Sequence, residues 1–127
     1  MSEMAQGWID RAQYDLDTAR AMLASGRYLY VLFCSQQAVE KALKALIVQK
    51  TDELPPRVHN LPRLAEVAGV ELSQERLRFV GQLSAYYIQS RYPEEIEATG
   101  STLTQELAEE VLDGAEQTIS WILSMLK

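Results

Sequence analysis

Four polar side chains recur at i, i+3, i+4 and i+7 within one uninterrupted stretch: Gln37, Glu40, Lys41 and Lys44. On an α-helix, where each residue turns by about 100°, that spacing gathers them on one side. An amide, a carboxylate and two ammonium groups so gathered can hold an anion, the cations meeting its charge and the amide supplying hydrogen bonds. The same pattern also describes a solvated helix face with a Glu–Lys pair at neighbouring positions. Two further groups can join them. His59 is the only histidine and stands in a loop beside Arg57 and Asn60. A positioned imidazole can do acid–base work; the alternative is a ring that bonds to backbone and orders the turn after the prolines. Arg91-Tyr92-Pro93 is the second. A guanidinium at a helix end either takes an anion bidentately or closes the negative helix C-terminus. On spacing alone these groups give at best a small polar site built from Gln37, Lys41, Lys44, His59 and Arg91, with no catalytic residue and no metal ligand assigned.

Other chemistries find little support. A lone histidine, a single cysteine (Cys34) and no HExxH pattern leave no metal centre of the usual kinds and no internal disulfide. Cys34 reads as a small buried hydrophobe. Glu94, Glu95 and Glu97 form an acidic loop run, which reads as solvated rather than as a cation site. There is no Gly-rich phosphate loop and no GxSxG elbow, and no cofactor is expected. The formal net charge of −6 disfavours non-specific binding to nucleic acid or to anionic membrane, since both need a basic surface. No apolar run reaches the roughly 18 residues of a membrane span, and the N-terminus has no basic start or apolar core; a cytoplasmic protein is expected.

The elements that must position these groups are helical. At 127 residues, of which 47% are hydrophobic, one domain with a real core is expected over 1–127. Ser2 caps a first helix over about 3–24, its apolar stripe running through Trp8, Ile9, Ala12, Leu16, Ala19 and Leu23. Ser25-Gly26-Arg27 stops it, and so short a link makes the next helix antiparallel. That second helix, about 28–50, carries the polar set opposite an arc of Val31, Ala38, Ala42, Ala45 and Leu46. Pro55-Pro56 enforces a loop. Asn60 caps a short helix through about Val67, and Ser73 caps another that fades near Ser90, before Pro93. Thr102 and Gln105 fit a capping box for a last helix over about 103–126. No sustained period-two alternation exists. The fold class is all-α: an up-and-down four-helix bundle with one additional short helix.

Taken in order, Ser35-Gln-Gln-Ala-Val-Glu-Lys-Ala-Leu-Lys-Ala-Leu46, then His59-Asn-Leu61, then Tyr87 and Arg91-Tyr-Pro93, resembles the HEPN family across nearly the whole chain. The resemblance implies a four- to five-helix bundle, commonly a homodimer. It implies a protein encoded beside a minimal nucleotidyltransferase, often as toxin and antitoxin. It also implies a nucleotide or anion ligand for a set of Gln37, Glu40, Lys41, Lys44, His59, Arg91 and Tyr92, with Lys41, Lys44 and Arg91 meeting phosphates and His59 or Gln37 supplying hydrogen bonds. Other family members are metal-independent ribonucleases marked by an arginine and a later histidine with four to six residues between them. That motif is absent: the three positions that would serve His59 hold Asp52, Glu53 and Leu54, and Arg57 is too close. A divergent ribonuclease using Arg91 and His59 is the alternative. A third reading is a structural dimer in which Glu40 pairs with Lys41 or Lys44 of the other chain.

Overall fold

Local caps and one apolar stripe per helix account for most of the architecture. In the computed structural model, which describes residues 2–89, 92 and 103–126, five helices follow one another. They are α1 (Glu3–Ala24), α2 (Tyr28–Thr51), α3 (Leu61–Val67), α4 (Gln74–Gln89) and α5 (Gln105–Ser124). The fold is the all-α, up-and-down bundle of four long helices plus a short one that the periodicity predicts. The Ser2 hydroxyl accepts from the Ala5 amide, Asn60 Oδ1 from Arg63 and Ser73 Oγ from Arg76, each satisfying a helix-end N–H. Gly26 turns the chain between α1 and α2 at φ 77°, a left-handed conformation that costs a glycine nothing.

The last helix begins later than its sequence signal indicates. Thr104, not Thr102, is its cap: the Thr104 hydroxyl accepts from the Leu107 amide, and the helix runs from Gln105 to Ser124 rather than 103–126. Ser90, Arg91, Pro93 and the acidic run Glu94, Glu95 and Glu97, with Thr102 itself, lie outside the described residues.

α2 is the central element and touches each of the other four helices. Its alanines Ala38, Ala42 and Ala45, and Ala5, Ala12 and Ala19 of α1, are fully buried. Small side chains on both members of the hairpin allow close backbone approach. Leu43, Leu46 and Ile47 of α2, Leu61 and Leu64 of α3, Leu83 of α4, and Ile119 and Ile122 of α5 fill the core. Each such side chain contributes about 1.5–3 kcal/mol by leaving water. At the far end of α2, Lys50 Nζ donates to the Ala68 carbonyl at 2.7 Å, closing the C-terminus of α3.

α4 and α5 meet where Gly114 has no side chain. A Cβ there would lie 2.6 and 2.7 Å from two ring carbons of Phe79. The expected consequence of Gly114→Ala is a net loss of about 1 kcal/mol: overpacking costs about 1–3 kcal/mol and the better helix former returns about 1. Urea denaturation should show that loss, and it should vanish when Phe79 is also changed to Leu.

Candidate functional site

Glu40 lies at the middle of α2 and its side chain is 3% exposed. An ionised carboxylate withdrawn from water needs several strong partners, and Glu40 has them. Oε2 takes the Lys44 ammonium at 3.0 Å, one helical turn along. Oε1 accepts from the Gln36 amide at 3.2 Å, one turn back. His59 Nδ1 stands 3.0 and 3.1 Å from the two oxygens. Because a carboxylate only accepts, Nδ1 must carry the proton. With Nδ1–H so engaged, an uncharged ring presents Nε2 as a lone-pair acceptor, on a side chain that is half exposed.

The ring is held from other directions too. Gln36 Nε2 also donates to the His59 carbonyl at 3.1 Å, and Ser84 of α4 donates its hydroxyl to the same oxygen at 3.4 Å. Tyr87 of α4 stacks on the imidazole with centroids 4.8 Å apart, and Phe33 of α2 lies 5.7 Å from Tyr87 on a nearly parallel plane. Three rings from α2, the loop and α4 thus form a continuous stack. Lys44, buried against Glu40, has its ammonium 5.5 Å from the centre of the Trp8 indole of α1, a cation–π contact.

A second branch runs toward α1. Gln36 Oε1 accepts from Gln37 Nε2 at 2.8 Å, Gln37 Oε1 accepts from Lys41 at 3.5 Å, and Lys41 donates to the Asp15 carboxylate. Cys34 lies beside this end. Burial pushes its thiol above the ordinary range, the Asp15 charge adds to the rise, and Lys41 opposes it. It is half-buried rather than the buried hydrophobe that its helix position predicts.

The solvated-face reading of the polar set is thus corrected. Glu40 and Lys44 are inside, because α1 and α4 pack on both flanks of that side of α2. Lys44 holds Glu40 instead of facing solvent. Within this chain both lysines find carboxylates, Lys44 on Glu40 and Lys41 on Asp15. His59 is joined to the set, although the backbone-bonded turn predicted as its alternative is not what its ring makes. Tyr92 is exposed, and Arg91 lies outside the described residues. Periodicity missed Asp15, Trp8 and Tyr87 as partners, because each depends on how helices pack. Gln36 was legible from spacing, standing four residues before Glu40. Among the described residues no three His, Cys, Asp or Glu side chains are placed to hold a metal, and no helix is long and apolar enough to cross a membrane.

Comparison with known proteins adds to this geometry. A sequence model described as the HEPN domain matches residues 5–125. A protein of Methanocaldococcus jannaschii named "Putative toxin MJ1304" is 29% identical, the alignment covering 97% of this chain and 88% of that one. The crystal structure of TT1696 from Thermus thermophilus superposes with a TM-score of 0.83 at 27% identity, over 97% of this chain and 98% of the other. That of ST0689, described as an archaeal HEPN homologue, does so with a TM-score of 0.79 at 28% identity, over the full length of both.

Two outcomes are expected of the network. Lys44→Met strands a buried carboxylate and should cost about 3 kcal/mol or more in urea denaturation, whereas adding Glu40→Gln should recover much of the loss. The Cys34 thiol should be alkylated more slowly than a free cysteine at neutral pH, its rate rising only above the usual thiol range; Asp15→Asn should move that rise to lower pH. The same raised value makes the thiol favour the fold below its unfolded-state pKa, a contribution lost as pH climbs through the folded-state value.

Proposed function

We propose, on the ground that this chain belongs to the HEPN domain family, that it is the HEPN module of a toxin–antitoxin-type pair. In this reading it forms a homodimer, acts with a minimal nucleotidyltransferase and binds a nucleotide at the polar side of α2. Its similarity to a relative named as a toxin supports the first part. The observation that carries the ligand is the buried Glu40 carboxylate, which fixes the exposed imidazole of His59 beside an aromatic stack. Bundle stability does not call for such a group, since apolar residues of similar volume commonly serve there as well or better. His59, Gln37 and Lys41 are the partly exposed members of the set. Arg91 and Tyr92 complete it as the anion-binding corner, and Glu40 and Lys44 hold the rest in position.

The His59–Glu40 geometry also favours the alternative, a divergent metal-independent ribonuclease. With Nδ1–H committed to the carboxylate, Nε2 can accept a proton from a ribose 2′-hydroxyl. Arg91 would then stabilise the phosphate.

Titration calorimetry with ATP and GTP is the direct test: heat with at least one nucleotide, reduced by His59→Ala, is expected. No heat with either, alone or with the nucleotidyltransferase, removes the ligand and leaves the protein-interaction role. An RNA-cleavage assay on wild type and His59→Ala decides the alternative, equal activity in both counting against it. Light scattering should report a dimer.

A further inference from the structure

A cavity of about 380 Å³ opens on the α1 side of the hairpin, lined by Met4, Gly7, Trp8, Arg11 and Lys41. Its volume lies within the range of roughly 300–1,000 Å³ usual for small-molecule sites. Its floor is the Trp8 indole, half-buried and braced by the buried ammonium of Lys44. Met4, 41% exposed, adds an apolar flank. A Cβ built on Gly7 meets nothing within 4 Å, so the space beside it is open.

The charge at this cavity is cationic, unlike the chain as a whole. Arg11 is exposed and makes no hydrogen bond or ion pair with any described residue. Lys41 spends two of its three N–H donors on Asp15 and Gln37, and the third is left. Asp15 pairs with Lys41, and no described carboxylate forms an ion pair with Arg11.

An indole surface beside a guanidinium free of ion pairs with described residues suits a planar ring that carries a phosphate. Stacking holds the ring whatever its edge groups, and the arginine fork takes two phosphate oxygens. We infer that a mononucleotide binds here, its base on Trp8 and its phosphate between Arg11 and Lys41. The inference rests on the nucleotide reading above and adds to it two residues of α1 outside the polar set. It also fixes specificity: no side-chain amide or hydroxyl lines the cavity, so the identity of the base is weakly read.

AMP and GMP are the probes, followed by calorimetry and by tryptophan fluorescence in Trp121→Phe, where Trp8 is the sole reporter. AMP and GMP should bind with affinities within roughly three-fold of one another, and AMP should quench Trp8. Arg11→Gln, a surface change that leaves the core intact, should weaken AMP roughly ten-fold. AMP bound equally by wild type and Arg11→Gln, or bound without quenching Trp8, would overturn the placement while sparing the nucleotide reading. No binding of AMP, GMP or ATP to the wild type would overturn both.

Discussion

A carboxylate withdrawn from water at the centre of α2 sets the positions of everything polar around it. Moving Glu40 out of solvent costs several kcal/mol even after the protein relaxes, and only good geometry offsets this. The compensating groups are Lys44 and Gln36 on the same helix and His59 on a loop that starts beyond two prolines. Two of these three come at a spacing of four residues and need only a helix. The third needs the loop to return across α2. The cost of a solitary buried charge is therefore what ties residue 59 to residue 40, and the stack on Tyr87 extends that tie to α4.

The hydrogen bonds form one connected set, from Asp15 through Lys41, Gln37 and Gln36 to Glu40 and His59. In such a chain each bond polarises its neighbours, so removing one member affects more than its own contacts. The amide of Gln36 illustrates this. Its nitrogen donates to both Glu40 and the His59 carbonyl while its oxygen accepts from Gln37, so all three interactions require the same orientation.

Helix ends were readable because their causes are local. Ser2, Asn60, Ser73 and Gly26 act on backbone within three or four residues, and no distant contact overrides them. Thr102 and Thr104 show where local reasoning fails: both have a hydroxyl at a suitable distance from a plausible helix start, and Thr104 is the cap used. The polar side of α2 was harder. Spacing collected Gln37, Glu40, Lys41 and Lys44 on one side, but which of them meet water depends on the flanking helices. Trp8 against Lys44 and Asp15 against Lys41 follow from the register of the α1–α2 hairpin, which no single-helix pattern encodes. The family resemblance supplied the fold and the order of the motifs, and it is the packing that gives the imidazole its partner.

The lysine that closes α3 has a bearing on how the chain can vary. Lys50 fastens the end of α2 to the Ala68 carbonyl, and Gln36 and Glu40 anchor residue 59 independently. The tip of the span between these anchors carries little: residues 51–54 are exposed, Leu54 by 75%, whereas Pro55 beyond it is buried and Val58 packs on the core. Lengthening a flexible loop costs only about 0.6 kcal/mol per doubling. Residues 52–54 are thus a place where peptide insertions, epitope tags or length changes between species can be absorbed without displacing the imidazole. The anchored end of the same loop has no such freedom.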